Sequence, residues 1–236
     1  MLRDRFHLPR DKNYLCGNSL GPQPKAAAEQ LAVEMESWKV RAVEGWWNGD
    51  TDKGGWLGYH RRVEDTLARV VGAEAAEVTT ANALTVNLHL LMVSFFRPEG
   101  RRRKIIMEAG AFPSDQHAII SQLKFHGLDP ETDLIEIGPR AGEFTIRTED
   151  ITAAIHEGGD ELALVLWSGI HYYTGQFFEL GAIAKAGKSV GAAVGFDLAH
   201  AVGNVPLSLH DWGCDFAVWC SYKYLNGGPG APGGLF

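Results

Sequence analysis

From residue 78 onward the chain alternates short apolar runs with helix-length stretches, and this alternation constrains its fold more than any other feature. Lys104–Met107 reads as a strand, Ser114–Phe125 as a helix, Leu134–Ile137 as a strand and Glu149–His156 as a short helix. Leu162–Trp167 follows as a buried strand, Glu179–Gly187 as a helix, and Ala192–Phe196 and Phe216–Trp219 as strands. Parallel neighbours cannot be joined by a hairpin, so strand, helix, strand in repetition implies right-handed crossovers. The predicted class is α/β, a three-layer large domain with a mostly parallel sheet covered by helices on both faces.

The first 70 residues read differently. A turn-rich run, Cys16-Gly17-Asn18-Ser19-Leu20-Gly21-Pro22, leads into a helical pattern that continues to Trp47. Ala27, Leu31, Met35 and Trp38 recur at helical spacing, with Pro22 and Pro24 where a helix start tolerates them. A second amphipathic stretch carries Val63, Leu67, Val70 and Val71 and stops at Gly72. Between them, Trp46 to Trp56 reads as a Gly/Asp/Trp-rich loop. The expected division is an N-terminal helical arm over 1–70 and a cofactor-binding large domain over 71–236.

Composition narrows the function classes. The 236 residues carry 22 Lys and Arg against 29 Asp and Glu, a net charge of −7, which disfavours nucleic-acid and anionic-membrane partners. Three cysteines (Cys16, Cys214, Cys220) make no disulfide framework and suit a reducing compartment. No apolar segment follows Met1-Leu2-Arg3-Asp4-Arg5 as a secretory signal requires, and Leu88–Phe96 is too short to span a bilayer. The expectation is a cytoplasmic, enzyme-sized chain.

Several spellings fail on context. Gly228-Pro229-Gly230-Ala231-Pro232-Gly233 fits G-x-G-x-x-G but holds two prolines and opens no helix. Gly187-Lys188-Ser189-Val190-Gly191 fits a nucleophile elbow, yet it joins a helix to a strand rather than the reverse, and reads as a helix C-terminus. Arg101–Lys104 reads as a solvated loop edge. None of the histidines falls in a zinc-binding spacing, so no metal is expected.

Four segments remain. Asn82-Ala83-Leu84-Thr85 heads an apolar helix, where free amides and the Thr85 hydroxyl suit a phosphate; an ordinary N-cap fits equally. Ala111-Phe112-Pro113-Ser114-Asp115 follows a strand and puts an aromatic ring where a ligand at the sheet edge would lie, or is again a capped helix. Asp197, in Gly195-Phe196-Asp197-Leu198-Ala199-His200, ends a buried strand and calls for a partner such as a protonated ring nitrogen. Lys223, in Trp219-Cys220-Ser221-Tyr222-Lys223-Tyr224-Leu225-Asn226-Gly227, is flanked by aromatic residues, and in a dry site its amine becomes a nucleophile able to form a Schiff base. Phosphate anchor, stacking ring, ring-nitrogen acid and Schiff-base lysine together are the fittings of a pyridoxal 5'-phosphate site.

These segments resemble kynureninase. So do Leu15–Gly21, Asn82–Met92, His171-Tyr172-Tyr173-Thr174-Gly175-Gln176, Asp197–Asn204 and Cys220–Asn226, all in the same order along the chain. The resemblance implies a pyridoxal-phosphate-dependent fold of the aspartate-aminotransferase type. It also implies hydrolytic Cβ–Cγ cleavage of L-kynurenine or 3-hydroxykynurenine to an anthranilate and L-alanine, in tryptophan catabolism and NAD biosynthesis. By motif, Lys223 would hold the cofactor, Asp197 the pyridinium nitrogen, and Phe112 one face of the ring. Leu84 (through its backbone), Thr85 and Tyr222 would hold the phosphate, with Tyr222 also an acid–base candidate. Pro113, Ser114, Asp115 and His200 match cofactor-site positions.

The resemblance further implies a homodimer, and an N-terminal portion that ends before the small C-terminal domain. The expected remainder supplies further strands of the large sheet, a tryptophan, a polar phosphate contact and an arginine for the substrate carboxylate. Trp46, Trp47 and Trp56 are candidates for an aromatic wall around the substrate ring, or for core or dimer packing. The alternatives are a cysteine desulfurase or aminotransferase of the same fold, or a truncated, non-catalytic chain.

Overall fold

The structure, a computed structural model, describes residues 2–49 and 54–236; Met1 and positions 50–53 of the expected Trp46–Trp56 loop lie outside the described residues. The strands are β1 (Thr79–Ala81), β2 (Lys104–Glu108), β3 (Leu134–Ile137), β4 (Leu162–Ser168), β5 (Ala193–Asp197), β6 (Phe216–Trp219) and β7 (Gly233–Leu235). Among the described residues they form one sheet in the order β1-β7-β6-β5-β4-β2-β3. Strands β2 to β6 pair in parallel, whereas β7 runs antiparallel to both neighbours, β6 and β1. A strand from beyond the lysine motif, expected from outside the chain, is thus present as β7.

The helices are α1 (Ala26–Arg41), α2 (Arg61–Val71), α3 (Leu84–Phe95), α4 (Pro113–Phe125), α5 (Pro130–Asp133), α6 (Thr148–Gly158), α7 (Leu180–Ser189) and α8 (Leu209–Trp212). Two apolar clusters flank the sheet, which gives the three layers. On one face Leu67, Val71, Ile151, Ile155 and Ile183 of α2, α6 and α7 pack with Ile106, Val165, Trp167, Val194 and Trp219 of the strands. On the other, Leu88, Met92, Ile119 and Leu123 of α3 and α4 pack with Ile105, Met107, Leu166, Phe216 and Val218. Successive strand residues point to opposite faces, so β4 must be apolar on both, and its first six residues are all buried. Gly195 serves the same packing, because a Cβ there would run into the Phe216 ring.

The sequence expectations meet three corrections. α1 forms, but none of its residues is buried, and Leu31, Met35 and Trp38 stand 67%, 60% and 62% exposed. The helical period is real; its apolar stripe has no partner within the described chain. Arg101–Lys104 is more than a solvated edge: Arg103 pairs with the buried Asp133 at 2.9 Å, Lys104 pairs with Glu161 at 2.6 Å, and Arg102 donates to the Leu162 carbonyl at 2.6 Å. β1 and β7 were not expected, since three residues are too few to carry a period. Among the described residues, no helix is long and apolar enough to cross a membrane.

Candidate active site

The parallel strands deliver their C-terminal ends to one cleft, the position at which open α/β sheets bind ligands. β2 ends in Glu108, β4 in Ser168 and β5 in Asp197, while the segment after β6 brings Tyr222 and Lys223. The first turns of α3 and α4 contribute Leu84, Thr85, Phe112, Ser114 and Asp115, and the turn after β5 contributes His200. Of the ten residues expected from sequence, nine line this one pocket. Pro113 does not; it begins α4 as its first residue, where its missing N–H costs nothing.

The choice between N-cap and anion site at α3 can be read from its hydrogen bonds. The residue at the cap is Ala83 and no side chain caps the helix. Asn82 instead donates to Asn87 Oδ1 at 3.0 Å, and Asn87 donates to the Ala81 carbonyl at 2.8 Å, tying β1 to the helix. The first-turn amides therefore remain free to face an anion beside the Thr85 hydroxyl. α4 likewise has Phe112 at its cap and no side-chain cap. The Phe112 ring is 47% exposed and meets the edge of Tyr172 at 5.1 Å.

Four titratable groups at the floor are nearly dry: Glu108, Asp115, Asp197 and Lys223 are 3%, 4%, 7% and 9% exposed. Burial pushes Glu108 up to about 7. Asp115 is raised well above the carboxylate range, first by burial and then by the Asp197 charge beside it. Both acids are thus inclined to hold protons. The Ala199 amide donates to Asp197 Oδ1 at 2.7 Å and orients it. His200 is lowered by burial and then by Lys223, whose Nζ lies 2.9 Å from its Nε2. Lys223 Nζ also sits 6.0 Å from the ring centres of Phe112 and Tyr222. Burial raises the Tyr222 phenol, so it keeps its proton at neutral pH.

Sequence reading missed Glu108 and Ser168. Both stand directly behind a buried apolar strand, the signal that singled out Asp197, so the same rule applied to every strand end would have found them. Ser168 Oγ is buried beside the Glu108 carboxylate without a well-formed hydrogen bond, and its backbone N–H donates to Glu108 at 3.2 Å. An orphaned hydroxyl lining a cavity is a place for a ligand atom. Trp46 and Trp56 do not line this pocket; they meet edge to face at 5.7 Å, and Trp56 donates to Glu34 at 3.0 Å.

The residues present fit pyridoxal phosphate: one pocket gathers a dry amine, a buried carboxylate, an aromatic ring and uncapped helix amides beside a hydroxyl. Among the described residues, no group of three or more His, Cys, Asp and Glu side chains is arranged to hold a metal ion.

Comparison with known proteins agrees with this chemistry. Residues 59–231 match the family model of the aminotransferase class-V proteins. The chain is 58% identical to kynureninase of Xanthomonas campestris pv. campestris (strain B100), an alignment covering all of this chain and 56% of that protein. It is 55% identical to kynureninase of Xanthomonas oryzae pv. oryzae (strain PXO99A), with the same coverage. The chain therefore spans a little over half the length of these relatives. Among solved structures, an apo cysteine desulfurase from Thermococcus onnurineus NA1 superposes with a TM-score of 0.75 at 18% identity, covering 100% of this chain and 56% of that one. A C-DES mutant with glycine covalently linked to its PLP cofactor superposes with a TM-score of 0.78 at 17% identity, covering 99% and 58%. At such identities the likeness speaks for the fold alone.

Proposed function

The chain belongs to the aminotransferase class-V family, and from that premise we propose that it is the cofactor-binding portion of a kynureninase, a hydrolase of L-kynurenine or 3-hydroxykynurenine. The observation that carries this reading is the meeting of Lys223, Asp197, Phe112 and the uncapped start of α3 in one pocket. The choice of kynureninase within the family rests on relatives of that name at 55–58% identity across the whole chain.

Each residue has a task that follows from its position. Pyridoxal phosphate, when bound, supplies an electron sink for the bonds around the substrate α-carbon. Lys223 Nζ would hold the cofactor and would serve as the group that moves a proton at that carbon. Asp197 would hold the pyridine nitrogen, Phe112 would cover one face of the ring, and Leu84 N–H, Thr85 and Tyr222 would hold the phosphate. Ser114, Asp115, Ser168 and His200 close the dry floor, and Pro113 sets the start of α4.

The division into an arm over 1–70 and a cofactor-binding domain over 71–236 belongs to this reading, as does a role in the tryptophan catabolism that feeds NAD biosynthesis in the cytoplasm. So does a homodimer, supported by the uncovered stripe of α1.

Borohydride reduction of the chain with pyridoxal phosphate, followed by peptide mapping, is expected to leave the pyridoxyl group on Lys223. An anthranilate fluorescence assay on a full-length protein carrying this segment then tests the substrate. A label on Lys185 or Lys188 overturns the site. Sulfide release from cysteine without anthranilate from kynurenine turns the reading to a desulfurase. Cofactor capture with neither activity leaves a non-catalytic chain.

A further inference from the structure

Among the described residues, Lys223 Nζ has a single hydrogen-bond partner, and it is an imidazole rather than a carboxylate: Nε2 of His200, at 2.9 Å. No carboxylate lies within ion-pair distance of Nζ among those residues. Nζ therefore has a proton-accepting ring nitrogen, and no carboxylate, at hydrogen-bond distance. The turn that carries the imidazole is held by its backbone. The Ala199 amide donates to Asp197 at 2.7 Å, the Leu198 amide donates to the Val218 carbonyl at 2.8 Å, and Asn204 donates to the His200 carbonyl at 3.1 Å.

We propose that His200 is the proton acceptor that converts Lys223 from ammonium to amine, so that Nζ can attack a carbonyl carbon in the pocket. Nε2 takes one proton from Nζ, and the lone pair left on nitrogen forms the C–N bond to an aldehyde. The aldehyde oxygen leaves as water with the two hydrogens remaining on Nζ, and His200 returns its proton to the C=N nitrogen. No oxidant or further reactant enters. The inference deepens the proposed function, on which it rests for the identity of the aldehyde.

The groups around the pair agree with this assignment. Asp197 faces it from the end of β5, and Cys220 and Tyr222 from the segment after β6, while Glu108 at the end of β2 and Asp115 in the first turn of α4 line the same pocket. Burial and the Lys223 charge hold the imidazole below its ordinary value, Asp197 acting the other way, so its lone pair is available at neutral pH.

The test uses formaldehyde as the aldehyde, with cyanoborohydride, on the chain free of cofactor. Methylation of Lys223 is read by peptide mapping from pH 6 to 11 against the exposed Lys185 as internal reference. Gln at position 200 keeps a polar contact but cannot take a proton. His200→Gln is expected to slow Lys223 methylation at pH 7 by at least about tenfold, with the gap closing towards the alkaline end of the range, where hydroxide takes the proton instead. A profile like that of the wild type, or a slowing equal at every pH, overturns the proposal.

A second measurement keeps His200 in place. Lys223→Met is expected to raise the midpoint of the His200 ring titration followed by NMR, and an unmoved midpoint counts against the shared proton. Failure is separable from failure of the cofactor reading. A His200-dependent methylation profile with the pyridoxyl label elsewhere removes only the cofactor assignment. A pyridoxyl label on Lys223 with a His200-independent profile removes only this inference.

Discussion

Gln176 binds both backbone groups of Ile146, its Oε1 accepting from the amide at 2.8 Å and its Nε2 donating to the carbonyl at 2.6 Å. One side chain thus imitates a pair of sheet hydrogen bonds. It fastens the loop after β4, which carries Ile170 and Tyr172 to the pocket, to the segment before α6. Ile146 is 4% exposed, so its backbone groups have little water to fall back on.

Gln176→Ala is expected to cost about 1–3 kcal/mol in urea unfolding, since it leaves two partly buried backbone groups unpaired. Loss of the anchor also loosens Tyr172, so weaker cofactor binding should accompany the change.

Glu108 makes the chain's stability depend on pH. Its folded value of about 7 lies above its ordinary 4.5, so the folded state binds the proton more tightly than the unfolded state does. The associated stability is complete below 4.5 and is lost as pH rises to about 7. Glu108→Gln removes that dependence. The variant is expected to be about 2–3 kcal/mol more stable than the wild type at pH 8 and equal to it near pH 4. Parallel stability curves for the two proteins would contradict the burial argument.

Ser168 separates stability from binding. Its hydroxyl is buried beside the Glu108 carboxylate without a well-formed hydrogen bond, so Ser168→Ala should change the stability of the cofactor-free chain by no more than about 1 kcal/mol. Pyridoxal phosphate affinity, measured by absorbance titration, should fall by about tenfold if the hydroxyl serves the ligand. Unchanged affinity would show that it does not.

Asp197→Asn preserves volume and removes charge. In a full-length protein carrying this segment, the cofactor is expected still to bind while turnover falls by at least about a hundredfold. Activity near that of the wild type would move the ring-nitrogen acid elsewhere.

Gly195→Ala tests the packing beneath the site. The added methyl meets the Phe216 ring, and thermal unfolding should register about 1–3 kcal/mol of destabilisation.

The parallel core was legible because its strands are long enough to show themselves as apolar runs. Leu134–Ile137 and Phe216–Trp219 coincide with β3 and β6, and the other strands shift by a residue or so at their ends. β1 and β7 escaped because three residues, two of them glycine in β7, carry neither period nor apolar run; only pairing across a long stretch of chain makes them strands. The site residues that sequence identified sit in motifs with distinctive chemistry: lysine among aromatics, an acid at a strand end, an aromatic before a proline. Glu108 and Ser168 lack such neighbours, and their meaning comes from burial beside Asp197. The α1 stripe shows the opposite limit, since periodicity reveals an apolar face but not what covers it.

The insertion of β7 between β1 and β6 has a consequence for synthesis. β2 to β6 leave the ribosome in order and pair through local crossovers, so the central block can assemble as it emerges. β1, though made earlier, finds its strand neighbour only when Gly233–Leu235 arrives, because among the described residues β7 is the strand it pairs with. The same late strand fixes the turn ahead of α3, with the Gly233 amide donating to the Asn82 carbonyl. The corner of the pocket at the start of α3 therefore takes shape after the central block, once Gly233–Leu235 has been made and has paired.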